Sequence, residues 1–199
     1  MIIFEDTLNI KPYIKFKHLY KKATNESQQY IEAAVVSTIS EQNRPSSRIV
    51  NIKYLINEAF IFFSNYESNK AKDIFQNPKA SILFFWDKIN TQIRIEGEIS
   101  MTESSFSEEH FNQRSYDKNI IAIISKQSSQ NEGYEDLVKR YKVAHQKYKK
   151  SILERPNNWG GYKFIPDSFE FWFGDKSRIN KRLKYIKKPK EWEKLYLDP

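Results

Sequence analysis

The sequence predicts a single α+β domain built around an antiparallel sheet or barrel. Short β-rich runs separated by turns come first, helical patterns follow between residues 104 and 150, and β-rich runs return near the end. This grouping argues against a parallel βαβ fold, in which strands and helices would alternate. The 199 residues show no internal repeat, low-complexity tract or linker, so we expect one domain over 1–199. It has an N-terminal helical segment at 1–32 and a distinct C-terminal segment at 169–199.

The first third of the chain predicts helix and then three strands. Apolar residues recur at helical spacing from Lys11 to about Glu32, and Asn25 or Ser27 can cap a second short helix there. Three β-rich runs follow, and the tight turns between them predict an antiparallel meander. These predicted strands are Ala33–Ser40, Ser46–Leu55 and Ala59–Ser64.

The rest of the chain predicts four further helices and a second set of strands. The predicted helices are Ser68–Phe75, Ser104–Gln113, Lys118–Ile124 and an amphipathic helix at Gly133–Lys150. The two strands predicted before the central helices are Lys79–Trp86 and Thr91–Thr102. After these helices, a strand opened by Gly160 and Gly161 runs to Phe173, and the last predicted strands are Leu183–Ile186 and Trp192–Tyr196.

Composition and charge limit the classes of function. The chain has no cysteine, which excludes disulfides, thiolate metal sites and cysteine nucleophiles. No apolar run approaches 18 residues and the first residues do not resemble a signal peptide, so we expect a cytoplasmic protein without membrane contact. The net charge is +8, and Lys176–Lys190 holds eight basic residues and no acidic one. Nucleic acid is an unfavoured partner, because no recognition motif accompanies this charge.

Several common catalytic motifs are absent. The five glycines form neither a dinucleotide-binding fingerprint nor a P-loop. The three histidines have no metal-ligand spacing, so we expect no metal site. A GxSxG nucleophile elbow is also missing, which weakens acyl-transfer hypotheses.

Cations and aromatic residues on strands remain as the candidate chemistry. Phe169–Arg182 (FEFWFGDKSRINKR) combines an aromatic strand with cations after a turn, a combination that suits a flat, anionic ligand. Arg48 and Lys53 lie five residues apart on one predicted strand, which places them on opposite faces unless a bulge intervenes. Lys70 follows Ser68 at a predicted helix start, where anions are favoured.

Taken together, seven stretches resemble the pyridoxine/pyridoxamine 5′-phosphate oxidase family, whose members are flavoproteins with the FMN-binding split-barrel fold. They occur in the family's order with close to its spacing and cover roughly residues 30 to 199. The last three stretches, taken together, are the most specific signal. The stretches are RIVNIK (48–53), FFSNYESNKA (62–71), NPKASILFFW (77–86), TQIRIEG (91–97), SKQSS (125–129), WGGY (159–162) and FEFWFGDKSRINKR (169–182).

The resemblance implies an antiparallel split β-barrel with flanking helices, in a homodimer whose two FMN sites lie at the subunit interface. It implies that Arg48 and Lys70 bind the FMN phosphate, that Gln92 and Trp172 meet the flavin ring, and that Arg182 stabilises reduced flavin. Asn69 stands where the family usually has arginine. The implied FMN contacts are Arg48, Ile49, Val50, Lys53, Phe63, Ser64, Asn69, Lys70, Gln92, Gln127, Ser128, Trp172 and Arg182.

The resemblance also implies a substrate site, with Arg178 and Asn180 as its catalytic pair. Lys53, Arg114 and Arg178 match the family pattern. His110 replaces an aromatic hydroxyl, Lys118 a small hydroxyl residue and Asn180 a histidine. The implied substrate residues are Lys53, His110, Arg114, Lys118, Arg178 and Asn180.

Two enzymatic hypotheses follow from the resemblance. In the first, FMN oxidises pyridoxamine or pyridoxine 5′-phosphate to pyridoxal 5′-phosphate, and oxygen is converted to hydrogen peroxide. In the second, the flavin site is kept and the substrate site is refitted for another small, reduced aromatic molecule, as in phenazine-pathway oxidases of the same fold. The loss of the histidine at Asn180 favours the second hypothesis, whereas the retained Lys53, Arg114 and Arg178 favour the first. A non-enzymatic flavin- or nucleic-acid-binding module is a third hypothesis.

Overall fold

The computed structural model describes residues 1–149 and 151–199. Within these residues the helices are α1 (Lys11–Asn25), α2 (Asn69–Gln76), α3 (Ser104–Gln113), α4 (Tyr116–Ile124) and α5 (Tyr134–Lys147), with a 3₁₀ turn at Asp87–Ile89. The strands are β1 (Ile3–Glu5), β2 (Ala33–Ile39), β3 (Pro45–Asn51), β4 (Tyr54–Ile56), β5 (Ala59–Asn65), β6 (Lys79–Trp86), β7 (Thr91–Met101), β8 (Trp159–Phe173), β9 (Lys181–Lys187) and β10 (Trp192–Leu197).

All of these strands belong to one curled, almost entirely antiparallel sheet. Its order is β1-β4-β5-β8-β7-β6-β2-β3, with β9 beside β8 and β10 beside β9. The long strand β8 organises the curl: it pairs with β7 along its length, with β5 through 159–164 and with β9 through 168–173. The β7–β8 register shifts at Gly97, where a Cβ would meet the Ile165 carbonyl. This bulge bends β8 between its two partners and so opens the barrel.

An aromatic core fills the curl of the sheet and is covered by α1. Tyr13 and Phe16 of α1 are fully buried, and their rings contact Phe60, Phe84 and Phe169 at centroid distances of 5.0 to 5.3 Å. Pro12 lies in the first turn of this helix, where proline's missing N–H costs no hydrogen bond. The predicted fold class, an α+β antiparallel split barrel, is confirmed.

Several predicted elements have different bounds. The prediction of a second short helix is wrong, because residues 26–32 form turns after α1 ends. The predicted strand Ser46–Leu55 is two strands, β3 and β4, separated by a break at residues 52 and 53. Both antiparallel pairings of the predicted meander are present, β2 with β3 and β4 with β5, but the break places them at opposite ends of the sheet order, and β4 also pairs with the unpredicted parallel strand β1.

The last predicted helix is present, but its apolar stripe does not enter the main core. Helix α5 spans Tyr134–Lys147, and only Ala144 of its side chains is buried. The predicted end at Lys150 lies outside the described residues. Among the described residues, no helix has the length and hydrophobicity that a membrane span requires.

Candidate functional site

A cationic cavity of about 580 Å³ lies where the β3 edge, the end of β5 and the start of α2 face α3, α4 and the loop after α4. Most of the predicted site residues line it, although they come from separate parts of the chain. From the predicted FMN set these are Arg48, Ile49, Val50, Lys53, Phe63, Ser64, Asn69, Lys70, Gln127 and Ser128. From the predicted substrate set these are Lys53, His110, Arg114 and Lys118.

Lys70 is a buried ammonium group whose hydrogen-bond partners are all neutral. It is 7% exposed, and its Nζ donates to Ser64 Oγ at 2.7 Å, Ser68 Oγ at 3.1 Å and Gln127 Oε1 at 3.2 Å. No carboxylate of the described residues lies within ion-pair distance of it. Burial, and then the nearby charge of Arg48, lower the Lys70 pKa to about 8. A bound anion would supply the missing negative charge.

Arg48 is fixed beside Lys70 by a polar network behind the cavity. Its Nη1 donates to Thr38 Oγ1 at 2.7 Å and to the Val36 carbonyl at 3.2 Å, and its Nη2 donates to Ser46 Oγ at 2.7 Å. The carboxylate of Asp73, which is 8% exposed, accepts from Thr38 at 2.6 Å and lies 3.8 Å from Arg48 Nη2. This network orients the guanidinium group at the cavity.

The break between β3 and β4 brings Arg48 and Lys53 to the same cavity. The sequence predicted opposite faces for a continuous strand, but β3 ends at Asn51 and Lys53 lies outside the regular alternation. Lys53 lies 3.8 Å from the Glu32 carboxylate, so its charge is partly paired. The sequence allowed for such an irregularity as the exception to opposite faces, and the break between β3 and β4 brings both cations to the site.

Flat rings form one wall of the cavity. The His110 imidazole stacks on Phe63 at a centroid distance of 3.7 Å with 10° between the planes, and Phe63 stacks on Trp159 at 5.4 Å. The Arg114 guanidinium lies 4.2 Å from the Trp159 ring centroid. Burial, followed by the charges of Arg114, Lys53 and Lys118, lowers the His110 pKa to about 4. His110 is consequently a neutral ring at pH 7.

The remaining predicted FMN contacts lie away from this cavity in the same chain. Gln92 of β7, Trp172 of β8 and Arg182 of β9 face each other directly across three neighbouring strands and form one row. Arg182 Nε donates to the Glu170 carboxylate at 2.9 Å, and Arg94 pairs with the same group. Glu170 is only 5% exposed.

The predicted catalytic pair lies in the exposed β8–β9 loop, also away from the cavity. Arg178 has a left-handed backbone, with φ of 63°, and its side chain is exposed. The Asn180 side chain accepts a hydrogen bond from the Asp175 backbone N–H at 3.1 Å. Asn180 therefore closes its own loop, and the roles assigned to this pair remain predictions.

Sequence reasoning missed some residues at the cavity. Trp159 forms part of the aromatic wall, Ser46 and Ser47 line the β3 side, and Asp73 supports Arg48 from behind. The signal for Trp159 was its position in the WGGY stretch. The sequence signal for Asp73 was its helical spacing from Lys70, which places both residues on the same side of α2. Within residues 1–149 and 151–199, no group of three or more His, Cys, Asp or Glu side chains could hold a metal ion.

The curled sheet and its cationic, ring-lined cavity define a protein of the split-barrel class. The solved structure of PhzG from Burkholderia lata 383, in complex with tetrahydrophenazine-1-carboxylic acid, has the same fold, with a TM-score of 0.89 and 24% identity. The superposition covers 94% of this chain and 92% of that one.

Sequence comparisons identify the family within this class. Residues 20–148 match the family described as pyridoxamine 5′-phosphate oxidase, and residues 159–199 match the pyridoxine 5′-phosphate oxidase C-terminal dimerisation region. The chain is 35% identical over 188 residues to the pyridoxine/pyridoxamine 5′-phosphate oxidase of Coxiella burnetii, covering 94% of this chain and 95% of that protein.

A plant relative is similar to this chain over a smaller part of its length. The chain is 36% identical over 190 residues to the chloroplastic pyridoxine/pyridoxamine 5′-phosphate oxidase 1 of Arabidopsis thaliana, covering 92% of this chain and 35% of the plant protein. These findings together show that the chain belongs to the pyridoxine/pyridoxamine 5′-phosphate oxidase family. The match to the dimerisation region supports a homodimer.

Proposed function

We propose that the chain is an FMN-dependent oxidase that converts pyridoxine 5′-phosphate, or pyridoxamine 5′-phosphate with uptake of water and release of ammonia, to pyridoxal 5′-phosphate and reduces oxygen to hydrogen peroxide. The observation that carries the proposal is the buried Lys70 ammonium, which lacks a carboxylate partner among the described residues and lies in the cavity with Arg48. Family membership supplies the reaction class. A cytoplasmic location is part of the proposal.

The donors at this end of the cavity fit the phosphate of FMN. Lys70 and Arg48 provide two cations, and the hydroxyl groups of Ser64 and Ser128 lie beside them. The start of α2 adds the positive end of a helix, and Asn69 at that start does not need to be an arginine for this charge to exist. When bound, FMN supplies the two-electron oxidation that the reaction requires, with oxygen as final acceptor.

We infer that a second copy of the chain completes each FMN site. Gln92, Trp172 and Arg182 form a row on the sheet but do not line the cavity of their own chain. A twofold dimer can bring the row of one copy to the cavity of the other, because a symmetric interface exchanges both contributions. The match of residues 159–199 to a dimerisation region supports this arrangement.

The other end of the cavity fits the phosphate of the substrate. Lys53, Arg114 and Lys118 are three cations around the neutral His110 ring. An imidazole has a ring nitrogen that can donate where the family has an aromatic hydroxyl, and Lys118 adds a charge where the family has a hydroxyl. These residues bind and orient a phosphorylated aromatic. In the completed dimer, Arg178 from the second copy would hold the substrate beside the flavin.

One observation favours the second hypothesis, a refitted substrate site. The side chain of Asn180 is engaged with the Asp175 backbone in its own loop. An asparagine held in this way does not replace the proton chemistry of a histidine. A relative with another small, reduced aromatic substrate, such as the phenazine-like molecules of the alternative hypothesis, would need no histidine there.

Peroxide formation tests the proposed reaction. Purified protein loaded with FMN is supplied with oxygen and either pyridoxamine 5′-phosphate or a panel of reduced aromatics without phosphate. We expect one peroxide per pyridoxal 5′-phosphate formed. Arg178→Ala should lower kcat/KM by an amount that corresponds to about 1–3 kcal/mol of lost transition-state stabilisation, whereas Lys176→Ala in the same loop should leave kcat/KM unchanged. Peroxide from the unphosphorylated panel alone would select the refitted site instead.

A further inference from the structure

A second concave surface, the α4–α5 groove, lies beside the cationic cavity. It has a volume of about 440 Å³ and is lined by Arg114, Asp117, Lys118, Ile121, Tyr134, Leu137, Val138 and Tyr141. Its apolar wall is the stripe that the sequence placed on the last helix. Tyr134 at the start of α5 is 74% exposed and Ile121 of α4 is 41% exposed, whereas Leu137, Val138 and Tyr141 are half-buried, so the groove is open to solvent.

The groove and the cavity share Arg114 and Lys118. Arg114 Nη2 donates to the Lys118 carbonyl at 3.0 Å, but Arg114 Nη1 is buried and has no hydrogen-bond partner among the residues that the structure describes. A buried donor of a charged group without an acceptor costs free energy. An acceptor on a ligand at this junction would remove that cost. The unpaired Nη1 therefore indicates an anionic group at the junction of the two surfaces.

The carboxylate of Asp117 also lines the groove and disfavours a second anionic group on the ligand. It accepts a hydrogen bond from Tyr141 at 2.7 Å and lies 3.4 Å from His145 Nε2. The groove also presents the apolar side chains of Ile121, Leu137 and Val138. Charge complementarity thus selects a ligand that is anionic at one end and apolar along its length.

We propose that the α4–α5 groove binds amphipathic aromatic monoanions, with the anionic group on Arg114 and Lys118 and the apolar body along α5. Such a ligand and the phosphate of the substrate exclude each other, because they use the same two cations. The proposal extends the substrate end of the proposed oxidase site and rests on it for this competition. Ile121 of α4 contributes directly to the apolar wall.

The fluorescent probe 1-anilinonaphthalene-8-sulfonate has the chemistry that the groove should bind. We expect saturable binding of one probe per chain to the FMN-loaded protein, and displacement by inorganic phosphate. Val138→Asp should weaken this binding about tenfold or more, because it removes apolar area and places a like charge beside the probe. Val143→Asp is the matched control: Val143 is on the same helix, is 59% exposed and does not line the groove.

Three results would overturn the proposal: absence of saturable binding, equal probe affinity in the two aspartate variants, or failure of phosphate to displace the probe. Val138→Thr, which nearly preserves the side-chain shape, gives a weaker effect in the same direction if Val138→Asp does not fold. Peroxide formation from pyridoxamine 5′-phosphate is measured in parallel. If the wild type shows no saturable probe binding but does form peroxide, the groove alone is rejected, whereas absence of peroxide formation in the wild type rejects the oxidase.

Discussion

Replacing Lys70 by methionine should weaken FMN binding without unfolding the protein. The lowering of the Lys70 pKa from 10.5 to about 8 corresponds to a cost of about 3 kcal/mol for keeping the buried ammonium charged. Its three hydrogen bonds to neutral partners offset that cost, at about 1 kcal/mol each. Because Lys70→Met removes both contributions, we expect the free energy of unfolding of the FMN-free protein to change by less than about 1 kcal/mol.

The affinity for FMN should respond much more strongly than stability. A charge-assisted hydrogen bond to phosphate contributes about 1.5–3 kcal/mol, so Lys70→Met should raise the Kd for FMN roughly 10- to 150-fold. Flavin fluorescence titration measures this directly. The Kd for riboflavin, which lacks the phosphate, should change less than about twofold, since Lys70 has no other charged ligand group to bind.

Lys72→Met is the matched control, because it makes the same change on an exposed residue of the same helix. Its Kd for FMN should equal that of the wild type. Equal FMN affinity in the two methionine variants would refute the assignment of Lys70 to the phosphate. An equal loss of FMN and riboflavin affinity in Lys70→Met would also refute it, since this pattern indicates distortion of the cavity.

Three further predictions follow from the same groups. FMN affinity should fall as pH rises above about 8, by up to about tenfold per pH unit, because Lys70 loses its proton there; riboflavin titrations should show no such fall. Asp73→Asn should raise the Kd for FMN several-fold and leave that for riboflavin unchanged, because Arg48 loses its buried partner; an unaltered FMN Kd contradicts this. His110 has a lower pKa in the folded protein than in the unfolded chain. Acidification from about pH 6.5 to about pH 4 should therefore lower the free energy of unfolding of the wild type more than that of His110→Phe. Equal shifts of the urea unfolding midpoint in the two proteins would reject this.

The fold was predictable because its signals are local. Alternating and β-branched runs mark most strands, and apolar spacing marks the helices. The bulge at Gly97 was not predictable, since it depends on how closely the Ile165 carbonyl approaches from another strand. The parallel strand β1 has three residues, too few for a periodic pattern.

The candidate site was predictable mainly as a set of residues, not as an arrangement. Arg48 and Lys53 meet at one cavity because β3 ends early, and strand periodicity alone placed them apart. Glu170 is buried between Arg94 and Arg182, and no local sequence pattern pairs it with either arginine. Only the sheet register shows that Gln92, Trp172 and Arg182 form a row separate from the cavity.

The stripe on α5 shows a further limit of sequence patterns. Amphipathic spacing predicts that one face of a helix is covered, but it does not identify what covers it. In this chain the stripe lines the α4–α5 groove. The same pattern would have fitted a helix that packs on the barrel.

A purified heterodimer of two defective variants tests the account most directly. One chain carries Arg48→Ala and Lys70→Met, and the other carries Gln92→Ala and Trp172→Ala; different affinity tags isolate the mixed dimer. Each homodimer should bind FMN weakly. The mixed dimer should bind about one FMN and oxidise pyridoxamine 5′-phosphate at about half the wild-type rate, because one of its two sites receives both intact halves. A mixed dimer as defective as the two homodimers would contradict a site built from two chains.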